Sequence, residues 1–346
     1  MLLVGDIGGT KTDLALLTSA GAPRSPVVRM RFRNADYPGL SAIAQAFLAR
    51  AGVQVTRACF DVAGAVTDGR CQLTNLAWDL SARALQHELH IERVWLINDV
   101  AALAYAAPSL QPNELHTLHH GEPVAGAAVA VIAAGTGLGE AFAVRDGAAY
   151  RGYPSEGAHA DFAPVTPLQI ELLRYLQRRF AHVSFERVCS GLALPQVYEF
   201  FRDGGHAPES AELASRLAAA SDRTPLIIAG AIGEAEPDAL CAAALATFID
   251  VLGAEAGNLA LKVLATGGVF IGGGIAPRVL ALLEDGRFLA SFRRKGRFSD
   301  LLTRIPVHVI IADNAALIGA ACYARTRMDA RGVDADRGQA PVRPTP

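Results

Sequence analysis

The chain lacks the features that mark several large classes of protein. Its five cysteines, Cys59, Cys71, Cys189, Cys241 and Cys322, are odd in number and far apart, with no CxxC pair or His/Cys cluster. That argues against a zinc module and a disulfide framework, and reduced, mostly buried thiols are the expectation. An excess of one charge is missing too: 32 basic residues face 34 acidic ones, for a formal net charge of −2. Without an electrostatic footprint for nucleic acid or an anionic membrane, a small-molecule partner is favoured. No signal peptide is legible, since Leu2-Leu3-Val4 opens directly as strand, and a cytoplasmic protein is expected. The longest apolar region, Ala239 to Thr266, carries Asp250, Glu255, Asn258 and Lys262, which are costly in a bilayer, so it reads as one or two buried core helices. The common nucleotide fingerprints are absent as well. There is no GxxxxGK-S/T string, and Gly135-Thr136-Gly137-Leu138-Gly139 leads into a strand where a dinucleotide loop would open a helix.

What is present describes a well-buried α/β protein. Apolar residues make up 51% and charged residues 19%, and 346 residues are more than one core usually organises, so two domains with a ligand cleft are expected. Leu2 to Gly5 and Asp13 to Leu17 flank the turn Asp6-Ile7-Gly8-Gly9-Thr10 as strand, glycine turn, strand. Leu40, Ile43, Ala44, Phe47 and Leu48 then fall at helical spacing, before strands at Cys59 to Ala63 and Val94 to Ile97 and a helix over 81–89. The opening pattern recurs where the apolar run Ala127 to Ala134 meets Gly135-Thr136-Gly137 and resumes as strand at Ala141 to Val144. Helices are predicted over 168–180, 192–201 and about 314–326, and a strand at Val269 to Ile271 between Gly267-Gly268 and Gly272-Gly273-Gly274. A domain boundary is placed in the polar, proline-bearing stretch 108–123, and residues beyond Met328 are expected to be disordered.

Several short motifs can carry chemistry. Backbone N–H groups in glycine turns can point at a phosphate, and both Gly8-Gly9-Thr10 and Gly135-Thr136-Gly137 fit, although each alone also fits a plain hairpin. Asp6, at a strand end, is placed to hold a hydrated magnesium ion, which takes one or two carboxylates plus waters and phosphate oxygens; its bland reading is a turn aspartate. Asp99 follows the strand Trp95-Leu96-Ile97 and precedes an apolar helix, so it reads either as a general base for a hydroxyl or as a helix N-cap. The segment 155–162 packs Glu156, His159 and Asp161 into one loop, a density of donors and acceptors suited to a polyhydroxylated ligand. Glu186 beside Arg187 also reads as a surface ion pair.

Taken together, Leu3-Val4-Gly5-Asp6-Ile7-Gly8-Gly9-Thr10, Leu96-Ile97-Asn98-Asp99, Ala134-Gly135-Thr136-Gly137-Leu138-Gly139, Glu156-Gly157-Ala158-His159-Ala160-Asp161-Phe162 and Phe185-Glu186-Arg187-Val188 resemble the bacterial glucokinase family over about residues 2–326. The group meant lacks the zinc motif of the sugar kinases and repressors called ROK proteins, and no CxCGxxGCxE-like string occurs here. The resemblance implies an actin-like, hexokinase-type (RNase H-like) ATPase fold with mixed sheets, in which two α/β domains close on a sugar. Residues 1–109 with 312–327 would form the smaller domain and 110–311 the larger. It implies phosphoryl transfer from ATP to the 6-hydroxyl of glucose, with Asp99 as base. Asn98, Glu156, His159 and Glu186 would bind the sugar together with Asp99, with Asn75 a weaker candidate. Gly8, Gly9, Thr10 and Gly135, Thr136, Gly137 would face phosphates, and Gly272, Gly273, Gly274 the adenosine; Asp6 would organise Mg2+ through water. A homodimer is implied as well. A kinase of another hexose or amino sugar, and a silent sugar-binding regulator, remain alternatives. Where the family often has asparagine and then a basic residue two positions later, Lys11, Thr12 and Asp13 stand here, and Asp13 is read as facing solvent on an edge strand.

Overall fold

A computed structural model describes residues 1–18, 21–73, 76, 78–233 and 236–329. The chain divides into two compact units, one made of Met1–Ala106 with the described residues from Ala316 to Asp329, the other of Ala107–Ala315.

The first unit is built on β1 (Leu2–Ile7), β2 (Lys11–Leu17), β3 (Val28–Arg33), α1 (Leu40–Ala51), β4 (Arg57–Val62), the short ribbon β5 (Arg70–Gln72) and β6 (Asp79–Ser81), α2 (Ala82–Leu89), β7 (Arg93–Asn98) and α3 (Asp99–Ala106). Its main sheet runs β3-β2-β1-β4-β7. The glycine turn joins β1 to β2 as an antiparallel pair, while α1 and α2 carry the chain back so that β4 and β7 add in parallel. Helix α1 forms because Leu40, Ile43, Ala44 and Phe47 make one apolar stripe, and it stops at Gly52, whose φ of 66° is left-handed. That stripe packs with Leu85 and Leu89 of α2 on the sheet face bearing Leu3, Ile7, Leu14, Leu16 and Phe60.

The second unit holds β8 (Leu115–His119), β9 (Val129–Ala134), β10 (Leu138–Asp146), β11 (Ala149–Ser155), α4 (Pro167–Leu176), α5 (Leu194–Asp203), α6 (Ala211–Ala219), α7 (Thr224–Ile232), α8 (Ala239–Val263), β12 (Gly268–Gly272), α9 (Leu280–Glu284), α10 (Arg287–Arg293), α11 (Ser299–Arg304) and β13 (Val307–Ile310). The sheet order is β11-β10-β9-β12-β13-β8, parallel through β9-β12-β13 and antiparallel at both ends. The apolar region read as one or two helices is the single 25-residue α8, started by Asp238, whose carboxylate accepts from Cys241 N at 2.9 Å. It is long and apolar enough to cross a membrane, yet 67% of its most apolar window is buried within the protein, as befits a core helix. The chain ends its described course in α12 (Ala315–Asp329), whose Leu317, Ala320, Ala321 and Ala324 cover Leu2, Val4, Ala15, Leu17 and Cys59 on the other face of the first sheet.

The stretch 108–123, in which a domain boundary is placed, contains β8, which pairs with β13 at the sheet edge. One expectation changes. Asp13 does not face solvent: it is 3% exposed on β2, inside the sheet, because β3 supplies the edge and its Arg31 and Arg29 cover the carboxylate at 2.7 and 3.4 Å. Asn75 and the tail beyond Asp329 lie outside the described residues.

Candidate active site

Residues opposite one another on neighbouring strands point to the same face, and in the first unit the register sets Asp13 opposite Asp6 and Asp6 opposite Asp61. Three carboxylates thus stand in one row across β2, β1 and β4. Burial alone would raise Asp13, but hydrogen bonds and charge from Arg31 and Arg29 hold it below the usual carboxylate range. Asp6 has no such cover, and burial followed by the charge of Asp13 raises it. Asp61 is fully buried, neither oxygen has a donor among the described residues, and burial, Asp6 and Asp99 push it well up. A buried carboxylate without donors beside a second carboxylate needs a proton or a cation between them.

The glycine turn between β1 and β2 is closed by Gly8 N–H donating to Lys11 O at 3.1 Å. It is pinned from the side by Asn34, 2% exposed, whose amide donates to Gly8 O at 2.8 Å and accepts from Thr12 Oγ1 at 2.8 Å. Thr10 and Lys11 are exposed, and Gly8 and Gly9 line a small cleft with Ala63, Leu73 and Leu76.

At the head of α3 the capping question has a definite answer. Asn98 Oδ1 accepts from Val100 N and Ala101 N, both at 3.0 Å, so Asn98 is the principal cap. Its Nδ2 donates to Gly64 O at 3.2 Å and to Asp99 Oδ1 at 3.0 Å, and Val100 N also reaches Asp99 Oδ1 at 2.9 Å. Asp99 is therefore oriented through one oxygen. Burial pushes its carboxyl up to about 6, the Val100 N–H works against this, and the Asp6 charge adds to it.

In the second unit the two polar motifs are zipped together. Phe162 N donates to Val183 O, Phe185 N to Ala160 O and Glu186 N to Ala158 O, at 2.9 to 3.1 Å. This lays the one-turn 3-10 helix Gly157–His159 against the segment 183–189 and sets His159 between two carboxylates, with Nε2 3.7 Å from Glu156 and Nδ1 3.9 Å from Glu186. Glu186 is no surface ion pair, since its Oε2 accepts from Leu138 N at 3.0 Å beside the turn 135–137. Arg187 turns away and lies over the Phe180 ring. Asp161 instead pairs with His182 at 2.8 Å.

The turn 135–137 is closed by Gly135 N–H to Gly137 O, and Gly191 N and Leu192 N donate to Gly135 O and Thr136 O. Next to it, Ile275 N donates to Ala134 O, and Gly273 has φ 85° with no room for a Cβ above the Ala134 backbone. The glycine groups 135–137 and 272–274 thus adjoin at the ends of β9 and β12.

Among the described residues no group of three or more His, Cys, Asp or Glu side chains is placed to hold a metal ion. The partly exposed Asp6 beside Asp61, whose buried oxygens lack donors among the described residues, fits magnesium, which binds through one or two carboxylates and keeps several waters. Asp61 and Asn34 escaped the sequence reading. The signal for Asp61 was an acid inside the apolar strand Cys59-Phe60-Asp61-Val62; Asn34 carried none.

Comparison with known proteins fits this arrangement. The glucokinase family model matches residues 3–327. A glucokinase of Nostoc punctiforme is 42% identical over 338 residues, covering 94% of this chain and 99% of its own length. One of Synechocystis sp. is 40% identical over 345 residues, covering 93% and 97%. The crystal structure of a glucokinase from an Antarctic psychrotroph superposes with a TM-score of 0.78 at 35% identity, covering 94% of this chain and 98% of that one. Over nearly its whole length the chain belongs to the glucokinase family.

Proposed function

We propose that the protein phosphorylates glucose at the 6-hydroxyl with ATP, giving glucose 6-phosphate. The observation that supports the sugar half most strongly is the clustering of Glu156, His159 and Glu186 by the ladder between 158–162 and 183–186. Such a group can pair several hydroxyls of one ring. In this reading Asp99 takes the proton of the 6-hydroxyl as the phosphorus–oxygen bond forms. Its carboxyl, raised to about 6, is ionised at neutral pH while remaining a stronger base than an ordinary aspartate. Asn98 fixes Asp99 by its amide, and its own polar atoms are filled by Gly64, Val100, Ala101 and Asp99, so its part is positioning more than sugar contact.

Gly9, Thr10, Thr136 and Gly137 offer backbone N–H groups to the phosphates, in turns that the N–H groups of Gly8 and Gly135 close, and Gly272, Gly273, Gly274 border the adenosine. Asp6 would hold Mg2+ through its water shell, with Asp61 as the second carboxylate. Bound there, the ion offsets charge on the transferred phosphoryl group. The division into a smaller domain of 1–109 with 312–327 and a larger one of 110–311, a homodimer and a cytoplasmic location belong to the same reading.

The test is a coupled assay of the purified protein with ATP across glucose, mannose, fructose and amino sugars. Glucose should give the highest kcat/KM. EDTA should abolish turnover and Mg2+ restore it, while a zinc-selective chelator should change nothing. A higher kcat/KM for an amino sugar or another hexose would move the assignment to that substrate. Tight sugar binding without turnover would make the protein a regulator.

A further inference from the structure

An ionic cluster lies beneath the sugar turn and takes no part in the chemistry above. Glu140 on β10 is 2% exposed and stands opposite Ser155 of β11 and Ile132 of β9. Ser155 Oγ accepts from Gly157 N at 3.0 Å, and Glu140 Oε2 occupies the space a Cβ on Gly157 would need. On its other side is Glu255 of α8, fully buried, which accepts from Asn258 Nδ2 at 2.7 Å and Lys262 Nζ at 3.0 Å. Lys295, just past α10, donates to Asn258 Oδ1 at 2.7 Å and Ala254 O at 2.8 Å, completing the charged layer. Glu255 is thus compensated by a cation and an amide, whereas neither oxygen of Glu140 has a donor among the described residues.

We propose that Glu140 and Glu255 form a buried carboxyl–carboxylate pair sharing one proton, and that Glu140, through its contact with Gly157, positions the turn carrying Glu156 and His159. The inference rests on the sugar role proposed for that turn. With the proton in place Glu140 donates to Glu255 and the turn rests on it. Without it, two like charges in contact with little water to screen them separate, and the atoms on the far side of Glu140 are those of Gly157 and Ser155. Burial pushes the Glu140 carboxyl up to about 8, the Glu255 charge adds to this, and Lys262 opposes it. The other titratable or charged groups around the cluster are Lys295, which burial brings down to about 8, its neighbour Arg294, the Cys189 thiol, and Glu156, His159 and Glu186 above.

The experiment has two readouts. Calorimetry of glucose binding to the wild-type protein between pH 7 and pH 9 should show affinity falling about ten-fold, as expected for a site held by one proton lost near 8, with ATP binding unchanged. In Glu140→Gln the fall should vanish, because an amide donates to Glu255 with no proton to lose; persistence of the fall there would assign it to another group such as Lys295 and overturn the positioning role. Infrared spectra of the sugar-free protein should show a protonated-carboxyl band that disappears over the same range and is missing from Glu140→Gln. A wild-type protein without it would overturn the pair whatever the sugar does. The wild-type infrared band keeps the pair testable should Glu140→Gln fold poorly. Glu156→Gln at pH 7 separates the underlying reading: unchanged glucose affinity there would remove the sugar role of the turn, and the positioning role with it, while leaving the infrared band intact.

Discussion

Asn98 and Asp99 divide two jobs that the sequence alone could place on either residue. The amide caps α3 and steadies the carboxylate, and the carboxylate is left with a raised proton affinity and one oxygen free of these bonds. If Asp99 is the base, kcat/KM should rise with pH through about 6 to a maximum near 7, since the ionised carboxylate is the active form, before the decline that loss of the Glu140 proton brings near 8. A rate that is flat from pH 5 to 8, or rises with a midpoint near 4, would contradict this. Asn98→Ala should cost roughly 0.5–2 kcal/mol of stability through the lost cap. It should also move the acid limb upward, because the Asn98 hydrogen bond lowers the Asp99 carboxyl. Denaturant titration and a pH–rate profile on the same variant check both effects.

At the scale of elements, the glycine turns were legible because strand, glycine pair and strand form a local pattern, and both are found between antiparallel strands. What escaped was set by distant partners. Strand β8 has a histidine-rich, weakly apolar sequence and is a strand because β13 offers it an edge. Helices α9, α10 and α11 have seven residues or fewer, too short for periodicity to declare itself. Asp61 is meaningful only once β4 lies beside β1, and Asn34 only once it folds back to Gly8. Asn34→Ala should strand Gly8 O and Thr12 Oγ1 and cost about 1–3 kcal/mol. It should also raise KM for ATP several-fold more than KM for glucose; equal effects on the two would show that the turn does not face phosphate. Gly273→Ala meets both a left-handed φ of 85° and the Ala134 backbone, so it should lower the melting temperature and weaken nucleotide binding together. A stable variant with normal ATP affinity would remove Gly272–Gly274 from the adenosine site.

For the whole molecule, buried acids make stability depend on pH. Glu140 ordinarily titrates near 4.5 and in the folded chain near 8, so the folded form binds more protons throughout that window. Stability should then fall as pH rises from about 5 to 8, and Glu140→Gln should flatten the slope; a wild-type protein more stable at pH 8 than at pH 6 would contradict that sign. The proton-accepting role proposed for Asp99 stands or falls on a single isosteric change, Asp99→Asn. Asparagine keeps the shape and the Val100 contact but cannot take the hydroxyl proton, and Glu156, His159 and Glu186 are untouched. Measured on folded protein, the variant should lose roughly 10²–10⁴-fold in kcat, with glucose binding by calorimetry within a few-fold of wild type and an unchanged melting temperature. Turnover near the wild-type rate would contradict the account.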